Sequence, residues 1–413
     1  MKPDRNKVLI FVCLVIFLDA LGIGLILPVT PQLISELTSL PNSRAAEMSG
    51  YLMFAFAATQ FFCAPILGGL SDQYGRRPVL LVSLVGFALN YVLMAVAPTM
   101  TLMFIARVLS GLTGATFPAA NASIADITTP SDRARIFGFT GAALGFGFIF
   151  GPTMGGLLGE YSARLPFLVA GVLTLASSVY GYIYFPETLA QENRRPFDFR
   201  RANPFGSLRS IARYPAVFAM LIGFFLVQLS SQSYSTIWAF FTIEVAHWTP
   251  FAIGLSAGLY GLMMVLIQGG LTGPVIKRVG EWNTIWFALF MAFISYVGFG
   301  FAANGLAIYC FTFIGSFAGL FFPAIQSLMS KGIPENAQGE LQGSIASAFS
   351  ISAIVGPIAM THIFSTFTAN EGYHFPGAAF LAAAGFIICA AVVLRVAHTR
   401  LKATVSVDDR KDH

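Results

Sequence analysis

The chain reads GGLSDQYGRRP at residues 68–78, where an apolar stretch at 48–70 meets another at 77–97. Each stretch is long enough to cross a hydrocarbon core of about 30 Å as a helix, which takes about 20 residues. Gly75 permits a tight turn between the two helices, because glycine adopts backbone conformations that other residues avoid. The polar residues are therefore predicted to form a surface loop between two membrane spans.

Apolar stretches of this kind recur along the whole chain. Of its 413 residues, 56% are hydrophobic and only 10% are charged, a balance that excludes a soluble fold of this size. The sequence predicts an all-α membrane protein with twelve transmembrane helices. Their approximate positions are 7–36, 48–70, 77–97, 100–127, 134–158, 164–185, 215–241, 250–275, 283–303, 305–330, 339–364 and 374–397.

An internal repeat divides the twelve spans into six and six. The matching residues are Gly69 and Gly273, Pro130 and Pro334, and Gly151-Pro152 and Gly356-Pro357, at offsets of 204 to 205 residues. Two similar six-helix halves are the design of alternating-access transporters. The predicted domains are an N-terminal six-helix bundle at 1–185, a cytoplasmic linker loop at 186–214, a C-terminal six-helix bundle at 215–400 and a cytoplasmic tail at 401–413.

The positive charges predict the orientation of the chain in its membrane. With both termini in the cytoplasm, Arg44 and Arg164 face outward and Arg107 lies in the membrane, which leaves 21 of the 24 Lys and Arg inside. This is the bias expected of a multi-pass protein of a bacterial-type inner membrane. The net charge of +5 is therefore a topology signal and does not indicate a nucleic-acid partner.

Asp19 lies in the middle of the first apolar stretch, where a charge is costly and marks a functional hypothesis. Counting at 1.5 Å per residue places Arg107, in the fourth stretch, at a similar depth. A carboxylate there can change between its protonated and charged forms as a cation or water approaches. Asp19 and Arg107 are therefore predicted to couple protons to transport, and a static bracing role for Asp19 is the alternative.

The loop at 68–78 also carries a charge pair. Asp72 and Arg76 can pair across the cytoplasmic ends of the helices, and Gly69 lets the helices approach each other. This is the signature loop of the major facilitator superfamily (MFS), which the chain resembles. The resemblance implies the MFS fold and an inner gate that Gly69, Asp72, Gly75 and Arg76 help to close. It further implies that Asp126 engages the loop arginine, with an ordinary interfacial charge cluster as the alternative.

A line of small residues marks the fifth span. Gly147, Gly151 and Gly155 recur every four residues, so they form a groove on one helix face into which another helix can pack closely. With Pro152 they resemble the antiporter motif of exporters in the superfamily. Generic close helix packing is the alternative, and the motif identifies no residue as a ligand.

Polar and aromatic residues inside other spans are candidates for a substrate cavity. Aromatic and methionine side chains give adaptable apolar surface, and amides can hydrogen-bond a ligand in either sense. Interhelical packing or hydrogen bonding is the alternative for each of them. The candidates are Asn90, Asn121, Gln228, Gln232, Tyr234, Trp238, Tyr260, Met264, Phe321, Phe322 and Gln326.

Within the superfamily the chain is similar to the drug:proton antiporters of the tetracycline-efflux type. The similarity includes LDALGIGLILPV at 18–29, residues 107–116, residues 125–128, Trp238, and QGELQGS at 338–344. Exporters of this type carry further membrane acids in the third and ninth spans and a histidine in the eighth. The matching positions here hold Asn90, Ala292 and Met264. The substrate is therefore open between a lipophilic or weakly polar amphiphile and a specialised metabolite.

These features predict a proton-coupled efflux antiporter that works as a monomer and exports an amphipathic small molecule or antibiotic. A proton symporter that imports a nutrient and a non-transporting membrane sensor are the alternatives. An enzyme has no support, because the sequence has no HExxH, no GxSxG with partners and no phosphate loop. Clustered His or Cys ligands are missing as well, so no metal or cofactor is expected.

Overall fold

The computed structural model describes residues 5–114, 116–128, 130–197, 206–369 and 373–408. Residues 198–205 of the predicted linker and 409–413 of the predicted tail lie outside this part of the chain. In the N-terminal half the helices are α1 (Arg5–Ile26), α2 (Thr30–Thr38), α3 (Asn42–Tyr74), α4 (Arg76–Val96), α5 (Met100–Leu112), α6 (Thr116–Ile127), α7 (Pro130–Gly159) and α8 (Leu165–Tyr184).

A 3-10 turn at Gln191–Asn193 follows α8. The second half contains α9 (Gly206–Ile211), α10 (Pro215–Ala246), α11 (Pro250–Leu266), a π-helical turn (Ile267–Leu271), α12 (Thr272–Val279) and α13 (Glu281–Phe301). It continues with α14 (Gly305–Ser316), a 3-10 turn (Phe317–Leu320), α15 (Phe321–Lys331), a 3-10 turn (Glu335–Ala337), α16 (Gln338–Thr368) and α17 (Ala378–Asp408).

Twelve helical stretches of the described residues are long and apolar enough to cross a membrane, which confirms the predicted fold class. Helices are required here because a lipid core offers no partner for backbone N–H and C=O groups. The first span ends earlier than the predicted 7–36, since α1 stops at Ile26 and α2 begins at Thr30. Pro28 and Pro31 explain this break: proline lacks the N–H that a continuous helix needs, and Pro31 sits in the first turn of α2.

Two spans at matching places of the two halves are interrupted. The fourth span changes from α5 to α6 after Leu112, and the tenth changes from α14 to α15 through a 3-10 turn. The second segments begin at Thr116 and Phe321, 205 residues apart. Paired interruptions in the two halves of a transporter point to its functional centre, because they place helix ends inside the membrane.

Contacts among the described residues form two compact units. Unit 1 comprises Met1–Asn203 with His247–Leu262, and unit 2 comprises Pro204–Ala246 with Met263–His413, so α11 is divided between them. The core of unit 1 includes Phe11, Ile16, Leu80, Leu84 and Ile124, all buried.

Unit 2 has a core of its own. Met220 and Phe224 of α10 pack there with Ile285 of α13, Ile325 of α15 and Leu394 of α17. Each unit is thus held by its own buried apolar side chains.

Single glycines join α3 to α4 and α12 to α13. Gly75 has a φ of 106° and Gly280 a φ of 81°, values in the region that favours glycine. They are 205 residues apart, so the two halves share the same turn at the same place in the repeat.

Candidate proton-coupling and gating sites

Asp19 of α1 lies beside the interruption of the fourth span. The Thr116 hydroxyl donates a hydrogen bond to its carboxylate, and Thr116 is the first residue of α6. The first N–H groups of a helix have no partner within it and carry partial positive charge. The interruption therefore brings a hydroxyl donor and the positive end of a helix to the carboxylate in the first span.

Tyr91 of α4 lies near both Asp19 and Arg107. Its hydroxyl group interacts electrostatically with both residues, and it lies over Gly22, where any Cβ atom would overlap the hydroxyl oxygen. In the described part of the chain Asp19 and Arg107 form no ion pair within 4.0 Å. The Arg107 Nε is buried and has no hydrogen-bond partner among these residues. The predicted pair is thus arranged around Tyr91, which is not among the predicted site residues.

A small cavity adjoins this group. It has a volume of about 10 Å³ and is lined by Asp19, Tyr91 and Thr174 together with Val15, Leu18, Leu84 and Phe87. This volume is enough for about one water molecule, and three polar side chains line the cavity and can bind it. The cavity therefore has room and polar partners for one water molecule beside Asp19.

The three predicted gate charges come together at the junction of α3 and α4. The Arg76 Nη1 lies 2.6 Å from Asp72 Oδ1, and its Nε lies 3.1 Å from Asp126 Oδ2. Arg76 Nη1 also donates to the Ser71 hydroxyl at 3.2 Å. The Arg76 side chain is only 12% exposed, so water screens these contacts less than those of an open surface pair.

Glu187 completes this cluster and was missed in the sequence. Its carboxylate accepts hydrogen bonds from the backbone N–H groups of Arg76 at 2.8 Å and Arg77 at 3.2 Å, the first two residues of α4. It also accepts from the N–H groups of Thr188 and Leu189, each at 3.0 Å. Glu187 thus caps α4, a role that side chains more often fill from the residue just before the helix.

The described start of the linker lies against the same loop. The Thr188 hydroxyl donates to Asp126 at 3.2 Å, and the Arg195 N–H donates to the Asp72 carbonyl at 3.1 Å. The Phe197 N–H donates to Gln73 Oε1 at 3.1 Å, and its ring covers Gly69. A Pro-Glu-Thr sequence directly after a membrane span, in an otherwise basic linker, was the signal available for this contact.

The glycine line of α7 packs on the helix that carries Asp19. Cβ atoms at Gly147, Gly151 and Gly155 would overlap the backbone of α1 at Phe17, Leu21 and Leu25. Pro152, in the same line, lies against Gly24 of α1. These residues provide the close helix approach that the sequence predicted, and their role in antiport remains a prediction.

Several predicted cavity residues in unit 2 pack among aromatic side chains. Trp238 is 1% exposed, and its ring stacks on Tyr234 with centroids 4.2 Å apart. The ring of Phe299 meets Trp238 edge-on at 5.3 Å. Phe321 is buried, and Phe322 packs on Phe224 with ring centroids 5.7 Å apart. These contacts fit the packing alternative, and a substrate role for the residues remains a prediction.

The amide candidates also have protein partners. Gln232 lies against Gly356 and accepts a hydrogen bond from the Ser235 hydroxyl at 3.1 Å. The Gln326 amide donates to Gln342 Oε1 at 3.3 Å. At Gln228 it is the backbone carbonyl, and not the side-chain amide, that accepts from the Ser231 hydroxyl at 2.8 Å. Met264 lies against Gly319, while Asn121 and Tyr260 are partly exposed.

Asn90 is 4% exposed, and its amide nitrogen lies 3.7 Å from the Met94 sulfur one turn along α4. Its amide oxygen is buried and has no hydrogen-bond partner in the described part of the chain. Ala292 is also buried, in the core of unit 2. As for metals, the described residues contain no group of three or more His, Cys, Asp or Glu able to hold an ion.

Comparison with known proteins agrees with this architecture. The chain is 36% identical over 400 residues to the class C tetracycline resistance protein of Escherichia coli, an alignment that covers 97% of this chain and 99% of the relative. It is 37% identical over 358 residues to the class G tetracycline resistance protein of Vibrio anguillarum, with 86% and 90% covered. Multidrug resistance protein 2 of Bacillus subtilis is 31% identical over 366 residues, with 86% and 89% covered.

Solved structures share the fold at low sequence identity. A bacterial homologue of the human lysosomal transporter Spinster superposes with a TM-score of 0.79 at 14% identity, covering 97% of this chain and 98% of that one. The human organic anion transporter MFSD10 superposes with a TM-score of 0.70 at 22% identity, covering 95% and 100%.

The relatives confirm the predicted class of function, a proton-coupled drug-efflux transporter of the bacterial inner membrane and not an enzyme. The sequence profile described as the Major Facilitator Superfamily matches residues 12–357. The chain belongs to the Major Facilitator Superfamily.

Proposed function

We propose that this transporter exports an amphipathic small molecule in exchange for protons, with Asp19 as the residue that carries the proton. The observation that carries the proposal is the group of Asp19, Thr116, Tyr91 and Arg107, which lies at an interrupted membrane span. An ionisable residue inside a membrane span costs folding free energy, and such a residue usually has a functional role.

The charge of Asp19 can control its neighbours directly. As a carboxylate, Asp19 accepts the hydrogen bond from Thr116 and interacts with Tyr91. Once protonated, it loses its attraction to the α6 N-terminus and to the positive charge of Arg107 beyond Tyr91. Proton uptake therefore loosens the contact between α1 and the fourth span, and proton release restores it.

The proposed cycle uses the cluster around Arg76 as its inner gate. Its contacts with Asp72 and Asp126 join the cytoplasmic ends of the second, third and fourth spans. The distribution of basic residues supports a cytoplasmic position for both termini. The transporter is proposed to act as a monomer.

The substrate is proposed to be a lipophilic or weakly polar amphiphile. By the resemblance, Asn90, Ala292 and Met264 stand where tetracycline exporters of this type carry ionisable residues, so the interior offers less charge to a polar drug. The named relatives include both tetracycline resistance and multidrug resistance proteins. Tetracycline is therefore a test compound and ethidium the probe of the broader class.

Reconstituted vesicles test this function directly. When a pH gradient is imposed across the vesicle membrane, addition of ethidium or tetracycline should cause protons to flow down that gradient. Asp19→Asn should abolish this proton release. Asp132→Asn is the matched control. Asp132 is a half-exposed carboxylate that forms an ion pair with Arg5 at 3.0 Å, and it is not part of the proton group. Intact proton release in Asp19→Asn would contradict the proposal.

Direction is settled in a second arm of the experiment. Inverted membrane vesicles of an efflux-deficient host should accumulate the probe when energised, because their cytoplasmic face points outward. Probe loss from the same vesicles would favour a proton symporter instead. A susceptibility panel in that host, with wild type and Asp19→Asn, then separates a broad exporter from a specialist.

A further inference from the structure

The gate charges of the first half recur in the second half with their signs reversed. At an offset of 205 residues, Asp72 becomes Lys277, Arg76 becomes Glu281 and Asp126 becomes Lys331. Gly75 becomes Gly280 at the same offset, and both glycines have positive φ angles. The turn at Gly75 and Gly280 sets this offset for Arg76, and the starts of α6 at Thr116 and α15 at Phe321 give the same offset for Asp126. Asp72 lies between Gly69, which matches Gly273 at an offset of 204, and Gly75, which matches Gly280 at 205.

The reversed residues again form a pair within unit 2. The Lys331 ammonium group makes an ion pair and hydrogen bond with Glu281 Oε1, and the Ser327 hydroxyl donates to the same oxygen at 3.3 Å. Glu281 is the first residue of α13 and Lys331 the last residue of α15. The pair therefore joins the ninth and tenth spans as Arg76 and Asp126 join the third and fourth.

The two pairs differ in how they fit the helix dipoles. An anion is favoured at a helix N-terminus and a cation at a C-terminus. Glu281 and Lys331 both occupy the favoured ends. Arg76, in contrast, is a cation at the start of α4, and Asp126 is an anion near the end of α6.

The surroundings of the first pair reflect this difference. Arg76 has Asp72 as a second carboxylate, and Glu187 caps the N-terminus that Arg76 occupies. Lys277, the counterpart of Asp72, makes no ion pair with the described residues. Both charges of the second pair thus lie at favoured helix ends, whereas those of the first lie at disfavoured ends and are supported by Asp72 and Glu187.

We propose that Glu281 and Lys331 form a permanent clamp that keeps the cytoplasmic ends of α13 and α15 together throughout transport, while the pair of Arg76 and Asp126 exchanges partners. This inference rests on the proposed gating role of the Arg76 cluster. Glu281 and Lys331 are positioning residues here, because they act through the helices that they join and touch no substrate.

Cross-linking of a cysteine pair tests the clamp. In a full-length variant with Cys13, Cys63, Cys310 and Cys389 replaced by serine, Glu281→Cys and Lys331→Cys are introduced together. The reduced protein should transport ethidium at least fivefold more slowly than the cysteine-free parent. A short bismethanethiosulfonate linker should restore at least half of the parent rate, because a permanent clamp does not need to open.

Two results would overturn the clamp. Transport at the parent rate in the reduced protein would show that the pair is dispensable, and no recovery after cross-linking would show that it must open. The control is Arg76→Cys with Asp126→Cys, whose cross-linking should leave transport blocked.

A second readout separates the clamp from the proposed function. Because the thiolate is the reacting form, each cross-linking rate is divided by the labelling rates of the two single-cysteine variants at the same pH. This normalised rate of the 281/331 pair should be equal at pH 5.5 and pH 8.0 and in the presence of Asp19→Asn, whereas that of the 76/126 pair should change. Absence of ethidium-driven proton flux in the parent would overturn only the proposed function. A change in the normalised 281/331 rate with pH would overturn the clamp whether or not the parent transports.

The charge-exchanged variant Glu281→Lys with Lys331→Glu covers the case in which the cysteine variant fails to fold. It keeps the ion pair but places both charges at the disfavoured helix ends. Its transport rate should lie above that of either single substitution and below that of the parent. A double variant no better than the single ones would overturn the clamp.

Discussion

Glu187→Gln is expected to loosen the start of α4. Of its two carboxylate oxygens, Oε1 accepts the N–H groups of Arg76, Thr188 and Leu189, and Oε2 accepts the N–H of Arg77. Glutamine keeps one oxygen but turns the other position into a donor that faces the Arg77 N–H. The substitution also removes a negative charge from a helix N-terminus.

The magnitude follows from these contacts. A hydrogen bond to a charged group contributes about 1.5–3 kcal/mol and a neutral one about 1 kcal/mol. The helix-end charge contributes about 0.3–1 kcal/mol. We expect a loss of about 2 kcal/mol in the local opening free energy of the first turn of α4, which corresponds to roughly 30-fold faster amide exchange.

Hydrogen exchange with mass spectrometry measures this effect on peptides that cover residues 74–80. Glu192→Gln is the matched control, because Glu192 is an exposed carboxylate in the 3-10 turn Gln191–Asn193 of the same linker. An exchange rate within twofold of wild type in Glu187→Gln would refute the capping role. Equal acceleration in both variants would attribute the effect to net charge.

Three further outcomes are expected. Gly155→Ala should cost about 1–3 kcal/mol by overpacking against the α1 backbone at Leu25, measured by thermal unfolding in detergent, whereas Gly138→Ala in the same helix has open space and should be neutral or stabilising. Thr116→Val should shift the pH profile of probe-driven proton flux and Thr116→Ser should restore it, since serine keeps the hydroxyl that donates to Asp19; an unchanged profile in the valine variant would contradict the role of Thr116. Hydrogen bonds from the Phe251 N–H and the Thr249 hydroxyl lower the pKa of Glu160 below its ordinary 4.5. These bonds therefore stabilise the fold above pH 4.5, and the stabilisation is lost as the pH falls through the lowered pKa. The stability difference between wild type and Glu160→Gln should therefore be present at about pH 6 and vanish in acid, and a difference that persists in acid would contradict this assignment.

The sequence predicted those features that depend on contrast with an apolar background. Asp19 and Arg107 are visible because a charge within a membrane span is rare, and the twelve spans are visible because lipid requires long apolar helices. Thr116 could not be recognised, because a threonine in a span is ordinary until the helix interruption places it at Asp19. Glu187 was missed because its partners are backbone N–H groups, which have no sequence signature.

Trp238 is a residue that the sequence singled out but whose surroundings the sequence could not determine. An aromatic residue in a membrane helix can face lipid, a cavity or another helix, and in an apolar chain its sequence neighbours do not distinguish these. The structure buries it between Tyr234 and Phe299. The end of the first span was missed for a related reason, since proline is tolerated in membrane helices when neighbours satisfy the freed carbonyl groups.

The contact between α1 and α7 is made by backbone against backbone, at Gly24 and Gly151 among other places. Most helix pairs are separated by side chains, which absorb small displacements by changing rotamer. No side chains separate the two helices at these places, so α7 must follow any movement of α1, the helix that carries Asp19. On its other side α7 meets Gly254 of α11 in the same way. In the proposed cycle, protonation of Asp19 would therefore move α1, α7 and α11 together and not one helix at a time.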